Sequence, residues 1–117
     1  MSEVRPFCSI VMPAHRAAHL LPRVLDALMA SDYPRERWEL IVVDDASGDD
    51  TPAVAARYAD TVVRIPGTPH GPAYARNRGF EVSRGEIVMF FDSDVVVHRD
   101  TIRRFVEVMQ EHPELGA

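Results

Sequence analysis

A three-layer α/β/α fold around a mostly parallel sheet is what this sequence predicts, and two patterns predict it. Short apolar runs alternate with stretches of helical periodicity, strand then helix four times over. Such alternation with short connections gives parallel strands covered by helices on both faces. The strand runs are also apolar throughout, as strands buried on both faces are, instead of alternating polar and apolar residues. At 117 residues the chain has material for one core, so residues 1–117 are read as a single domain.

Phe7 to Met12 is the first strand, closed by Pro13. From Ala18 to Ala30, Leu20, Leu21, Val24, Leu25 and Leu28 recur at helical spacing and mark a core face, with Pro22 in the first turn, where its missing N–H costs little. Ser31-Asp32-Tyr33-Pro34 ends that helix. Trp38 to Val43 is the second strand, with Trp38 its anchor, and it runs into the turn formers Asp44 to Asp50. Thr51-Pro52 reads as a cap followed by a first-turn proline, opening a helix to about Tyr58. Thr61 to Ile65 is a brief β-branched strand, followed by a loop with three prolines up to Pro72 and a helix over Ala73–Val82. Ser83-Arg84-Gly85 closes that helix. Glu86 to Phe91 is the most apolar strand and leads into Asp92-Ser93-Asp94. Asp100 or Thr101 then caps a last helix bearing Ile102, Phe105, Val106 and Met109 on one side.

Composition narrows the function. Apolar residues make up 46% and charged residues 26%, an ordinary globular balance. Thirteen basic against eighteen acidic side chains leave a net charge of −5, which argues against a nucleic-acid partner. An anionic ligand needs local charge or a bound cation to override that total. Cys8 is the only cysteine and lies in an apolar run, so it reads as a small core residue with no disulfide and no adjacent base. No apolar stretch reaches the roughly 20 residues of a membrane span. The opening Met-Ser-Glu-Val-Arg-Pro has no signal-peptide core, making a cytoplasmic setting the default.

In open α/β sheets ligands bind beyond the carboxyl ends of the strands. That rule selects Pro13-Ala14-His15, Asp44-Asp45 and Asp92-Ser93-Asp94, and four carboxylates are expected on one rim. Like charges that close destabilise one another unless something positive joins them. Mg²⁺ or Mn²⁺ suits the role, taking one or two carboxylates and completing its shell with water and phosphate oxygens. If strand geometry continues through Ser93, Asp92 and Asp94 point to the same side. An isolated D-x-D in an acidic chain is more often a solvated turn; its place after five apolar residues makes it a site. Of Asp44 and Asp45, one is expected to cap the turn and the other to face a ligand.

Five segments together resemble the nucleotide-binding half of family 2 glycosyltransferases, with their Rossmann-like GT-A fold. They are residues 9–15 (Ser-Ile-Val-Met-Pro-Ala-His), 41–51 (Ile-Val-Val-Asp-Asp-Ala-Ser-Gly-Asp-Asp-Thr), 75–79 (Ala-Arg-Asn-Arg-Gly), 84–86 (Arg-Gly-Glu) and 91–94 (Phe-Asp-Ser-Asp). Each is weak alone; their order and spacing over about residues 8–112 are specific. The resemblance implies a UDP- or GDP-linked sugar as donor, transferred with inversion to an acceptor hydroxyl. It implies that Pro13, Ala14 and His15 border the base, that Asp45 hydrogen-bonds it, and that Gly71 and Arg76 lie beside base and diphosphate. It further implies that Asp92, with Ser93, approaches the ribose or metal and that Asp94 coordinates Mn²⁺ or Mg²⁺.

The chain departs from the family pattern twice. Where the family usually has Tyr-Asn after Pro-Ala, this chain has His15-Arg16; a histidine can still stack on a base, and Arg16 either contacts a phosphate or sits in solvent. The chain also stops 23 residues after Asp94, before the region that in the family holds the acceptor and supplies a catalytic base. The expectation is a donor-binding half with little turnover of its own, and an exposed apolar sheet edge that favours a homodimer.

His98 is read as structural, with a metal role as the alternative, and His70, His19 and His112 as surface residues. Arg103 and Arg104 form the polar side of the last helix, with a membrane or partner surface as the alternative reading. Two rival functions remain. A non-catalytic nucleotide-sugar-binding module shares the same site. A haloacid-dehalogenase-type phosphatase would use Asp92 as nucleophile and Asp94 as acid/base, but it needs a lysine and the chain has none. A dinucleotide-binding domain fails for want of G-x-G-x-x-G after the first strand, and a two-component receiver domain for want of lysine.

Overall fold

Four strands form one sheet in the order β3-β2-β1-β4, every neighbouring pair parallel. The computed structural model describes residues 5–116. The reading of the extreme N-terminus at residues 1–4 lies outside that range, as does Ala117. The strands are β1 (Cys8–Ala14), β2 (Trp38–Asp45), β3 (Thr61–Ile65) and β4 (Ile87–Phe90). The helices are α1 (Leu21–Met29), α2 (Thr51–Ala55), α3 (Pro72–Val82) and α4 (Thr101–Glu111), with 3₁₀ turns at Arg35–Arg37 and Pro113–Gly116. The predicted element order holds throughout.

Alternation along the strands sorts side chains into two layers. On one face Ile10, Met12, Leu40, Val42 and Met89 meet Leu21, Leu25 and Leu28 of α1, Val54 of α2, and Ile102 and Val106 of α4. On the other, Val11, Ile41, Val43 and Ile65 pack with Ala75 of α3. The α3 helix can lie this close because Gly79 carries no side chain: a Cβ there would sit 2.4 Å from Val11 Cγ1 and 3.0 Å from Val43 Cγ2.

Only the two central strands are buried on both faces. β4, the most apolar run in the sequence, is an edge strand with Phe90 44% exposed, and β3 on the other edge is half-covered. An edge strand has one neighbour, so apolar character alone does not secure burial.

Several boundaries differ from the sequence reading. Pro13 does not close β1 but lies inside it, paired with Val43. The Val11 carbonyl accepts from Phe91 N at 3.1 Å on the β4 side, and Pro13, two residues on, faces that same side. There it has no N–H to offer, so the β1–β4 ladder stops. α1 begins at Leu21, which leaves Leu20 at the N-cap position and 37% exposed instead of on the core face. α2 is shorter than expected, and Asp50, not Thr51, holds its N-cap position. Asp49 does the capping there, its Oδ1 accepting from Thr51 N at 2.8 Å and from the Thr51 hydroxyl. Those two bonds, the hydroxyl first, hold the Asp49 carboxyl below its usual range. Trp38 is buried at the start of β2 with the Arg35 guanidinium 4.2 Å over its ring.

Candidate functional site

The carboxyl ends of β1, β2 and β4 and the N-terminus of α3 open into one cavity of about 590 Å³, within the range of small-ligand pockets. Pro13, Ala14, His15, Asp45, Gly71, Arg76, Asp92, Ser93 and Asp94 all line it.

Asp44 and Asp45 divide the work expected of them. Adjacent strand residues face opposite ways, and Asp44 turns from the cleft to accept the Ser47 hydroxyl. It borders a separate cavity with Ala46, Gly48 and Arg64. The expected rim of four carboxylates is therefore a rim of three. Asp45, 4% exposed, accepts from the backbone N–H of His70 at 2.9 Å on Oδ1 and of Gly71 at 2.8 Å on Oδ2. The side chain at the end of β2 thus pins the proline-rich loop at the point where α3 begins. Gly71 holds the N-cap position at φ +96°, a conformation side-chain-bearing residues rarely adopt. Each Asp45 oxygen keeps a second lone pair for a ligand N–H.

His15 is held at the lip by its Nδ1, 2.7 Å from the Asp45 carbonyl oxygen. A carbonyl only accepts, so Nδ1 carries the proton and, in the neutral ring, Nε2 is the acceptor. The segment behind it is stitched to the loop after β2. Arg16 N donates to Ser47 Oγ at 2.8 Å, Arg16 Nε to the Ser47 carbonyl at 3.3 Å, and Ala17 N to Thr51 Oγ1 at 3.0 Å. Arg16 is committed to that loop and does not line the cleft.

Asp92, Ser93 and Asp94 follow the end of β4, but the strand does not continue through them. Residues 93–94 form a turn, closed by Val95 N donating to the Asp92 carbonyl at 3.2 Å. The turn, rather than strand alternation, brings both carboxylates into the cleft. Pro13 explains the change, since with no N–H it cannot extend the ladder past Phe91. Arg76 of α3 reaches Asp92 Oδ1 at 3.4 Å, with the two side chains 40% and 61% exposed. So exposed a pair is worth about 0–1 kcal/mol, and a ligand can break it. Asp94 makes no side-chain hydrogen bond or ion pair with any described residue.

Among the described residues no group of three or more His, Cys, Asp or Glu side chains could hold a metal ion. Two carboxylates flanking a turn do not make an all-protein cage for zinc or calcium. They do match Mg²⁺ or Mn²⁺, which bind through one or two carboxylates and take other oxygens from water and phosphate.

Ala17, Leu20, Pro69, Pro72 and Ala75 complete the apolar lining, and sequence reading did not assign them to the site. For Leu20 the signal was present: Pro22 in the first turn starts the helix at Leu21 and leaves Leu20 outside it. His98 lies outside the cleft, where its backbone N donates to Thr101 Oγ1. His70 is exposed and stacks on Tyr74 at 4.4 Å, and His19 and His112 are exposed. Arg103 and Arg104 are tied into ion pairs with Asp32, Asp100 and Glu107.

Among known protein families, the one described as "Glycosyl transferase family 2" matches residues 9–117. Glycosyltransferase AglE of Haloferax volcanii is 31% identical over 113 residues, covering 93% of this chain and 37% of that protein. Among solved structures, residues 1–349 of Staphylococcus aureus TarS in complex with UDP-GlcNAc superpose with a TM-score of 0.83 at 27% identity, covering 91% of this chain and 32% of that one. The mannosyltransferase PcManGT from Pyrobaculum calidifontis, in complex with GDP-Man and Mn²⁺, superposes with a TM-score of 0.81 at 32% identity, covering 91% and 33%. The chain spans about a third of AglE and PcManGT and about a fifth of the whole of TarS.

Proposed function

The chain belongs to glycosyl transferase family 2, and on that premise we propose that its cleft is the donor site of a sugar transfer, holding a UDP- or GDP-linked sugar with a divalent cation. The observation that carries the proposal is the convergence of Asp45, Arg76, Asp92 and Asp94 from two strand ends and one helix on a single cavity. The complexes of the similar structures with UDP-GlcNAc, and with GDP-Man and Mn²⁺, support it.

The base lies in the apolar end, between Pro13, His15 and Pro69. Asp45 accepts a base N–H on the lone pairs its loop bonds leave free. Asp92 and Asp94 hold the cation, and Arg76, the one guanidinium lining the cleft, turns from its weak pair with Asp92 toward a phosphate. A cation held there acts as a Lewis acid on the departing diphosphate. Without it the rim is net negative and repels the ligand it must bind.

The three cleft carboxylates are thereby committed, Asp45 to the loop and base, Asp92 and Asp94 to the cation. Deprotonation of an acceptor hydroxyl falls to a group outside this cleft, and the chain by itself binds donor with little transfer. Transfer with inversion follows from family resemblance and has no residue assigned to it.

Calorimetry with UDP and GDP, with and without Mn²⁺, on wild type and Asp94→Ala tests the reading. Mn²⁺-dependent binding that the substitution abolishes is the expected result. Equal binding in every case would refute the site, and robust turnover by the chain alone would refute the division of labour.

A further inference from the structure

Glu39 is a carboxylate only 3% exposed, at the end of the sheet opposite the cleft. Its Oε2 accepts from Ser9 Oγ at 2.6 Å and from Arg84 N at 2.8 Å, while the Arg84 guanidinium stands 3.4 Å from Oε1. Ser9, fully buried in β1, accepts in turn from Gly85 N at 2.8 Å, and Glu86 N donates to the Phe7 carbonyl at 2.8 Å. Three consecutive residues between α3 and β4 are therefore bonded to β1, β2 or the residue leading into β1. Gly85 leaves no space for a side chain: a Cβ there would lie 2.5 Å from Ser9 N and 2.8 Å from the Cys8 carbonyl carbon, backbone atoms that cannot rotate away.

We propose that Ser9, Glu39 and Gly85 form a register lock for β4, which makes Ser9 and Glu39 positioning residues for Asp92 and Asp94 at the far end of that strand. β4 is four residues long and, among the described residues, pairs with β1 alone. A strand so short, with one neighbour and apolar residues on both faces, has little in its own pattern to oppose a slip of one residue. A slip turns each β4 side chain to the other face and would shift the turn that follows, with Asp92 and Asp94, by one residue along β1. The lock sets where β4 begins, and the missing N–H of Pro13 sets where its ladder ends. Gly85 and Asp92 are seven residues apart, about 23 Å of extended chain, so the effect is transmitted along the strand and not by contact.

The lock rests on the donor-site reading for its ligand, and the test separates the two. Ser9→Ala and Gly85→Ala are compared with Val24→Ala, which removes buried volume from α1 and leaves the Ser9, Glu39 and Gly85 hydrogen bonds in place. Circular dichroism and denaturation report folding, hydrogen exchange of the Ile87–Phe90 amides and β1–β4 NOEs report register, and calorimetry reports Mn²⁺-UDP and Mn²⁺-GDP affinity. Ser9→Ala is expected to fold, to lose β4 protection, and to bind the nucleotide about tenfold more weakly, as when an outer-shell partner of a metal ligand is lost. Gly85→Ala is expected to do the same or more, and should it fail to fold, Ser9→Ala alone carries the test. Val24→Ala is expected to lose stability while keeping register and affinity. Unchanged register and affinity in Ser9→Ala would overturn the lock, as would an equal loss in Val24→Ala. If the wild type binds neither nucleotide, the donor-site reading fails and the lock is judged on register alone. β4 protection lost in Ser9→Ala but kept in Val24→Ala then supports it, and protection kept in both overturns it.

Discussion

Replacing Gly79 by alanine gives opposite signs for two pictures of α3. In an exposed helix interior, Gly→Ala stabilises by about 1 kcal/mol through backbone entropy and helix propensity. Gly79 is instead pressed against the sheet, and the added methyl would stand 2.4 Å from Val11 Cγ1 and 3.0 Å from Val43 Cγ2. Both valines are fully buried in the central strands and stiff at χ1, so neither moves out of the way cheaply. Relief requires α3 to lift by about 1 Å, since carbon atoms pack at roughly 3.5–4.0 Å. Overpacking of this kind costs about 1–3 kcal/mol. Set against the helix gain of about 1 kcal/mol, the net expectation is a loss of up to about 2 kcal/mol, or as much as several degrees in Tm for a domain of this size. Urea denaturation of Gly79→Ala should show a lower midpoint at unchanged slope. Because α3 also carries Arg76 and begins at the loop Asp45 pins, nucleotide affinity should fall with stability. A stabilised variant would refute the packing argument outright.

Asp94→Ala should leave stability within about 0.5 kcal/mol of wild type, because the exposed carboxylate has no side-chain partner to lose; a large loss by denaturation would reveal a structural role instead. Burial raises the Asp60 carboxyl, but the Leu40 N–H and the Arg35 guanidinium together more than offset that and hold it below its usual range. Its contribution is therefore present above the ordinary carboxylate pKa and lost as pH falls through the folded value. The stability gap between wild type and Asp60→Asn should be full at neutral pH and close in acid, as denaturation over about pH 7 to 2 would reveal; a gap independent of pH would contradict the assignment. Burial pushes the Cys8 thiol up, so a thiol reagent at pH 8 should label it only as the protein unfolds, and prompt labelling of native protein would contradict its burial.

The fold was legible because each central strand is apolar over most of its length, Ser9 in β1 and Glu39 in β2 apart, and each helix has a start signal of its own. The rule that ligands gather at strand ends picks out seven of the residues that line the cleft, and the family resemblance adds Gly71 and Arg76. What the sequence left unread has physical causes. Asp44 and Asp45 are the same residue type, and only the direction of β2 at its end decides which faces the cleft. The turn at Ser93 depends on a missing N–H in a different strand, at Pro13, which a linear reading does not connect to it. β4 is the most apolar strand in the sequence, yet position in the sheet, not composition, leaves Phe90 exposed. Glu39 and Ser9 looked like ordinary strand residues, and their partners lie 45 and 76 positions away in sequence.

Diffraction from crystals soaked with Mn²⁺ and UDP or GDP, recorded at the manganese edge, tests most directly whether these carboxylates form a cation-dependent diphosphate site. The account requires an anomalous peak against Asp94, with Asp92 or the diphosphate completing its oxygen shell and the base between Pro13 and His15. Manganese bound away from Asp94, or nucleotide seated in the separate cavity beside Arg64, would contradict it.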